Sequence, residues 1–352
     1  METRFFFLCI LSAAVLMRLP ALGIGDANTG GNHGAVRAAY HPGGGRAAVS
    51  FKDGTIGVWD IGARRLLQRF PAHANGIWSL SYSPGGDAIL STGFDGFLRV
   101  WNTETAALSV SHFDPAILML SAAWNHRGDR IVLISALTGQ VQMLNAADGE
   151  VIWNIQAPSA VYSAAFSPDD TLVAVGDGDY LVRLLDAGTG AMLRTFDQAH
   201  NDPVSAVSFS PDGSALVSAD SMLVCVWDVE RGAPVYELDD FDGFAVSAAF
   251  NSGGTRIMAA TNSGVYLWDA GTGRRIPWPD AEEYGPEDIA DAVFSPGGES
   301  VLAAETNGLV WIYDAETGKR TVLLYDDSFR EYEFTEDDIN RLYREPFPEL
   351  QF

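Results

Sequence analysis

Short runs of alternating hydrophobic and polar residues follow one another along most of the chain, separated by turns rich in Ser, Asn, Pro and Gly. Alternation with a period of two is the pattern of a β-strand. The same order recurs seven times: an alternating run and a turn, a second run and a Gly-containing turn, a third run and a polar turn, and a fourth run. The pattern therefore predicts seven repeats of four short strands.

Two markers fix the register of the repeat. The turns after the first run read HPGG from position 41, SPGG from 83, NHRG from 125, SPDD from 167, SPDG from 210, NSGG from 251 and SPGG from 295. The third runs close on Trp59-Asp60, Trp101-Asn102, Leu144-Asn145, Leu185-Asp186, Trp227-Asp228, Trp268-Asp269 and Tyr313-Asp314. Successive dipeptides lie 41 to 45 residues apart, and four strands at that period are typical of propeller blades.

These repeats resemble those of the WD40 family from residue 33 to about residue 325. The resemblance implies an all-β fold, a seven-bladed β-propeller of four-stranded antiparallel blades. In that family a His, a Ser or Thr, an Asp and a Trp share hydrogen bonds within a blade. The second repeat carries this set as His73, Ser91, Asp95 and Trp101, and the fifth carries it as His200, Ser218, Asp220 and Trp227.

The other repeats depart from that set. The first has His33, Asp53 and Trp59, but its Ser50 is one place out of register, and repeats three, four, six and seven lack the His. Packing is expected to compensate in those blades. No strand is predicted before His33, and the last repeat has its own fourth run. We therefore expect the ring to close by packing alone or through the C-terminal tail.

Three segments are predicted along the chain. Residues 1–27 resemble a signal peptide, with an apolar run over 5–17 that is short for a membrane span, followed by small residues. Residues 28–325 form the propeller. Residues 326–352 form an acidic tail with a short helix that Thr335 caps. The chain is expected to be exported, periplasmic or secreted, without membrane insertion after cleavage. A membrane-tethered scaffold with an uncleaved anchor is the alternative.

Charge and missing motifs narrow the function. A formal net charge of −24 argues against nucleic acid and against anionic membrane surfaces. The six histidines lack metal-ligand spacing, and no nucleophile elbow, phosphate loop or dinucleotide fingerprint occurs. We therefore expect no catalytic residues, no metal and no cofactor. The alternative is a propeller hydrolase or lyase with its site at the mouth of the central channel. Oligomeric state is left open.

The strand order places charge unevenly. One face collects the loops between fourth and first strands and the turns between second and third strands. Its acids are Asp53, Asp95, Asp177, Asp179, Asp197, Asp202, Asp220, Asp239, Asp240, Asp242, Asp280, Glu282, Glu283, Glu287 and Asp288, beside Lys52. The opposite face, expected to be mixed or basic, collects Arg64, Arg65, Arg127, Arg130, Arg231, Arg274, Arg275, Lys319 and Arg320.

Aromatic residues accompany the acids in two loops of the first face. The candidate partner-binding residues are Asp239, Asp240, Phe241, Asp242, Phe244, Trp278, Glu282, Glu283 and Tyr284. Aromatic anchors flanked by charge suit a protein or peptide partner, and the acids favour a basic one. The alternative is that the aromatic side chains only pack their loops. The sequence thus predicts a non-catalytic interaction scaffold.

Overall fold

A computed structural model describes residues 35–74, 76–113, 119–197, 199–278 and 289–324. Within these ranges every regular element is a β-strand, and the strands form seven four-stranded antiparallel sheets. In each sheet the strands pair in the order in which they occur in the chain. The predicted seven-bladed propeller is confirmed. The predicted signal peptide and the C-terminal tail with its helix lie outside the described residues.

The blades follow one another along the chain. The first three comprise β1 (Ala35–Tyr40), β2 (Arg46–Phe51), β3 (Thr55–Asp60), β4 (Arg65–Pro71), β5 (Ile77–Tyr82), β6 (Ala88–Gly93), β7 (Phe97–Asn102), β8 (Leu108–Phe113), β9 (Met119–Trp124), β10 (Arg130–Ser135), β11 (Gln140–Asn145) and β12 (Val151–Gln156). The fourth and fifth comprise β13 (Val161–Phe166), β14 (Leu172–Asp177), β15 (Val182–Asp186), β16 (Met192–Phe196), β17 (Ala206–Phe209), β18 (Ala215–Ala219), β19 (Val224–Asp228) and β20 (Ala233–Leu238). The last two comprise β21 (Ala245–Phe250), β22 (Arg256–Thr261), β23 (Gly264–Asp269), β24 (Arg275–Ile276), β25 (Ile289–Phe294), β26 (Ser300–Glu305), β27 (Val310–Asp314) and β28 (Arg320–Leu324).

The core of the protein consists of seven hydrophobic clusters, one between each pair of neighbouring blades. A blade therefore buries both faces of its second and third strands. This explains why β2 and β26 are buried along almost their whole length instead of in alternation. The fourth strands have one exposed edge, and β12 and β16 are mostly exposed.

The ring closes between blade seven and blade one without strand exchange, because each blade has its own four strands. One hydrophobic cluster joins the two blades and includes Trp59 and Ile312. The backbone N–H of Ala38 donates to the Asp291 carboxylate at 3.3 Å. The Tyr40 hydroxyl lies 3.0 Å from the Ser300 hydroxyl. Packing, supplemented by hydrogen bonds, thus closes the ring within the described residues.

Arg37 ties together the first strands of three blades. Its Nε donates to the carbonyl of Trp78 in blade two at 2.6 Å, and its guanidinium also donates to the carbonyl of Ala290 in blade seven at 3.4 Å. First strands of neighbouring blades contact one another around the ring. This side chain is therefore placed to hold the innermost strands at the point where the ring closes.

Blade two contains the hydrogen-bond network that the WD40 resemblance implies. The His73 ring lies 2.8 Å from the Asp95 carboxylate through Nδ1 and 2.8 Å from the Ser91 hydroxyl through Nε2. The Trp101 indole donates to the same hydroxyl at 2.9 Å. Burial lowers the pKa of His73. Burial alone would raise the pKa of Asp95, but hydrogen bonds from Arg99 and His73 outweigh it and hold that pKa below its usual range.

Blade five repeats the arrangement and blade one lacks it. His200 lies 3.1 Å from Asp220 and 2.6 Å from the Ser218 hydroxyl, which accepts the Trp227 indole N–H at 2.7 Å. In blade one, both the Ser50 hydroxyl and the Trp59 indole N–H are buried without a hydrogen-bond partner. The offset of Ser50 by one residue in the sequence explains this difference, since adjacent strand positions face opposite sides of a sheet.

Candidate functional site

We call one side of the propeller the acidic face: the loops that join fourth to first strands and the turns that join second to third strands. Several of its acids serve the blades themselves. Asp53 pairs with Arg69 at 2.7 Å, Asp95 with Arg99 at 2.7 Å, and Asp177 with Arg183 at 2.5 Å. Asp177 is buried and also accepts two backbone N–H groups from its own turn. These carboxylates are engaged in stabilising their own blades.

Glu305 is another internal acid of this face. It is buried at the end of β26, where Asn307 donates to it at 2.8 Å and the Arg320 guanidinium lies 3.9 Å away. Burial raises its pKa to about 7. A neutral or half-ionised Glu305 contributes little to the field outside the protein, so the acidic face is less negative in blade seven than its sequence implies.

The acids that remain exposed are concentrated in blades four to six. Asp179, Asp197, Asp239, Asp240 and Asp242 are solvent-exposed. Asp202 is half-buried and accepts a hydrogen bond from the Ser221 hydroxyl. Two described cations reach this sector: Arg183 is paired with Asp177 and Asp179, and Arg275 donates to the Asp240 carbonyl. This sector of the acidic face therefore carries an excess of negative charge.

The predicted binding residues separate into two groups. Asp239 and Asp242 are exposed. Asp240, although exposed, accepts the Trp268 indole N–H at 2.6 Å, and its carbonyl accepts a hydrogen bond from Arg275 at 3.0 Å. Phe241 packs on the core of blades five and six, with its ring 5.9 Å from the Tyr266 ring. Asp240 and Phe241 therefore anchor their own loop.

The remaining aromatic candidates are also engaged or lie outside the described residues. Phe244 is half-buried, and its N–H donates to the Asn262 side chain at 2.6 Å. Trp278 is only 5% exposed and stacks on Tyr313 with ring centroids 5.4 Å apart. It lies in the core between blades six and seven. The loop residues Glu282, Glu283 and Tyr284 lie outside the described residues.

Sequence reasoning did not single out three exposed apolar residues on the acidic face. Leu137, Tyr180 and Met222 lie in the turns between second and third strands of blades three, four and five, and are 52%, 44% and 62% exposed. A signal was present in the repeat alignment. Tyr180 stands five residues before the closing dipeptide, where repeats one, two and seven have Gly54, Gly96 and Gly308.

The opposite face is mixed rather than basic. The Asp or Asn of the closing dipeptides caps the following turn: Asp60 accepts the N–H of Ala63 at 2.8 Å, and Asp186 accepts that of Thr189 at 2.8 Å. Two expected cations are elsewhere. Arg320 is buried with its guanidinium 4.6 Å from the Trp311 ring, and Arg275 reaches the loop of Asp240. The opposite face therefore has fewer free cations than predicted.

Neither metal nor membrane-spanning features occur in the part of the chain that the structure describes. No group of three or more His, Cys, Asp and Glu side chains there is arranged to hold a metal ion. Within the same ranges no helix has the length and apolar character needed to cross a bilayer. Cys225 is buried in β19, and burial raises the pKa of its thiol well above the usual range. A thiol in that state is unreactive.

Comparison with known proteins agrees with this architecture. The model of the WD domain, G-beta repeat, matches residues 64–102, which end at the closing dipeptide of blade two. The chain belongs to the WD-repeat family of β-propellers. A second family model, described as PQQ_2, Outer membrane protein assembly factor BamB, matches residues 98–321. Because this match covers more than half of the chain, the chain also belongs to that family.

Several curated relatives are WD-repeat proteins. The chain is 31% identical over 177 residues to WD repeat-containing protein SL1-17 of Schistosoma mansoni, covering 49% of this chain and 58% of that protein. It is 30% identical over 154 residues to the p21-activated protein kinase-interacting protein 1-like of Xenopus laevis, covering 44% and 41%. It is 27% identical over 174 residues to Methylosome protein WDR77 of Xenopus laevis, covering 47% and 51%. The chain thus matches less than two thirds of the length of these relatives.

Proposed function

We propose that this protein is a non-catalytic scaffold that binds a basic segment of a partner protein through the acidic face of its propeller. The observation that carries the proposal is the cluster of exposed carboxylates on blades four to six, of which Asp239 and Asp242 belong to one loop. At physiological ionic strength such a cluster acts over about 8 Å. It attracts Lys and Arg and repels phosphate backbones and anionic lipid headgroups.

Relatives support the class of function. Their names describe a p21-activated protein kinase-interacting protein and a methylosome protein. A rigid ring with seven sets of loops presents side chains at fixed positions, which lowers the entropic cost of binding. The chain supplies such a ring, and the charge of its acidic face selects the partner.

Charge reversal tests the proposal. Asp239→Lys with Asp242→Lys is expected to weaken binding of a basic partner about tenfold or more, equivalent to about 1.4 kcal/mol, and to reduce its dependence on salt. The matched control is Glu150→Lys with Glu230→Lys, because both residues are exposed on the opposite face and the change in net charge is the same. Equal weakening by both pairs would show that only net charge matters and would refute a specific binding face.

We also propose that the mature protein is exported. The proposal rests on the apolar run over residues 5–17 and on the small residues that follow it. The longer family match is to a model described as an outer membrane protein assembly factor, which favours export of this chain as well. Mass spectrometry of the intact protein from its own cells is expected to find an N-terminus near Asn28. Detection of residues 1–17 in that protein would contradict cleavage and favour a membrane anchor.

A further inference from the structure

Large exposed hydrophobic side chains are distributed unevenly over the molecule. Four of them lie on the acidic face: Phe113, Leu137, Tyr180 and Met222. The others lie along the outermost strands: Leu67, Leu108, Val151, Ile152, Met192, Leu193 and Val235. Among the described residues, the loops of the opposite face contain none. Single exposed hydrophobic residues are ordinary, but three in corresponding turns of three consecutive blades form a surface feature.

Tyr180 adopts a backbone conformation that its side chain disfavours. Its φ is +70°, whereas the corresponding turn positions of blades one, two and seven have glycines at +80°, +81° and +101°. A bulky residue in the left-handed region costs about 1–2 kcal/mol relative to glycine. Glycine would satisfy this turn position equally well, and the exposed Tyr180 ring does not pack in the core. The side chain is therefore better explained by a role outside the fold.

The apolar turns coincide with the negative sector of the acidic face. Asp179 precedes Tyr180 directly and is exposed. Next to the turn of Met222, Asp202 accepts a hydrogen bond from Ser221, and Asp197 lies exposed in the same loop as Asp202. Apolar contact and negative charge thus occur together on blades four and five, and this combination fits a segment that carries both Lys or Arg and bulky apolar side chains.

We propose that Leu137, Tyr180 and Met222, which we call the apolar sector, receive the apolar side chains of an extended basic segment of the partner protein. The inference rests on the proposed function and sharpens it, because it names the chemistry of the segment and moves the anchoring contacts from Trp278 to blades three to five. The carboxylates beside the sector select positive charge, and the three side chains then exclude water from the contact. Exposed aromatic and Met side chains are typical of such anchors.

The test uses three fluorescein-labelled synthetic peptides of equal length: alternating Lys and Leu, alternating Lys and Ser, and alternating Glu and Leu. Fluorescence anisotropy measures their binding to the full chain. The protein is expected to bind the Lys–Leu peptide most tightly and the Glu–Leu peptide least. Tyr180→Gly combined with Met222→Ser is expected to weaken binding of the Lys–Leu peptide about tenfold and to leave binding of the Lys–Ser peptide nearly unchanged.

Matched controls distinguish binding at the apolar sector from nonspecific hydrophobic binding. Leu193→Ser combined with Val235→Ser removes two side chains of similar exposure, 57% and 49%, from outermost strands, and is expected to leave Lys–Leu binding unchanged. Tyr180→Gly alone is expected to raise the melting temperature, because it relieves the strained φ. A loss of binding in a variant that is at least as stable as the parent is not caused by unfolding.

The outcomes distinguish failure of this inference from failure of the proposed function on which it rests. If the Asp239→Lys and Asp242→Lys pair weakens the Lys–Leu peptide but the apolar-sector variant does not, the inference is overturned and the acidic scaffold stands. If the outer-strand control weakens binding as much as the apolar-sector variant does, the sector has no special role and the inference is again overturned. If neither basic peptide binds even at low salt, both proposals fail.

Discussion

Replacing Ser91 by alanine isolates the hydrogen-bond network that holds blade two together. The Ser91 hydroxyl is fully buried and joins two side chains: it lies 2.8 Å from His73 Nε2 and accepts the Trp101 indole N–H at 2.9 Å. Ser91→Ala leaves the indole N–H and one imidazole nitrogen buried without a partner. Little is gained in exchange, because alanine fits the space without a new contact.

The magnitude follows from the number of orphaned groups. A buried polar group that loses its partner costs about 1–3 kcal/mol, and here two groups are affected. The indole and the imidazole keep their packing, and His73 keeps its contact with Asp95 at 2.8 Å. We therefore expect Ser91→Ala to lower the free energy of unfolding by about 2–4 kcal/mol.

Ser50 provides a control inside the same protein. It is also fully buried in the second strand of a blade, but its hydroxyl has no hydrogen-bond partner. Ser50→Ala is expected to change stability by less than about 1 kcal/mol, in the stabilising direction. Urea unfolding followed by both tryptophan fluorescence and circular dichroism measures the two variants and shows whether the transitions coincide. Equal losses for Ser50→Ala and Ser91→Ala would refute the reasoning.

Three further variants test other parts of the account. Burial raises the Glu305 pKa from 4.5 to about 7, so the stability contributed by the protonated carboxyl is complete below pH 4.5 and is lost as the pH rises through 7. In urea titrations the free energy of unfolding of Glu305→Gln should therefore rise by about 3 kcal/mol relative to that of the parent between pH 5 and pH 8. A difference between the two proteins that stays constant with pH would contradict the raised pKa. Arg37→Met removes links from blade one to blades two and seven and is expected to cost about 2 kcal/mol, whereas Arg65→Met, at an exposed position of blade one, should cost almost nothing. Equal melting temperatures would argue against closure through Arg37. Asp240→Ala orphans the Trp268 indole and is expected to lower the melting temperature, while Asp242→Ala should not, and the reverse order would show that the two aspartates have been assigned the wrong roles.

The fold was predictable because the propeller repeats one pattern seven times. A match at one repeat, such as the incomplete set at Ser50 and Trp59, is weak evidence for a fold. Seven turns and seven closing dipeptides at one period are strong evidence, because few folds other than a propeller have that pattern. The same repeat alignment predicted the hydrogen bonds of His73 and His200, since those residues stand 28 and 27 residues before the tryptophans of their blades.

The candidate site was harder to predict because loops have no period. The acids beside Phe241 and Trp278 in the sequence favour a binding role for these aromatic residues, yet both rings pack against the core. Whether a loop aromatic side chain turns inward depends on the space between two blades, and that space is set by residues far away in sequence. In the sequence, Tyr180 differs from other repeats only by replacing a glycine at one turn position. That its side chain is exposed could be seen only in the structure.

The central claim is that partners bind the acidic face and bring basic segments to it. A photo-crosslinking amino acid placed at Asp242 on that face, and in a second variant at the exposed Arg231 on the opposite face, tests this in the protein's own cells. Mass spectrometry of the crosslinked peptides is expected to identify Lys- and Arg-rich segments of one or a few proteins at position 242 and not at position 231. Equal capture at both positions, or crosslinked segments without basic residues, would contradict the account.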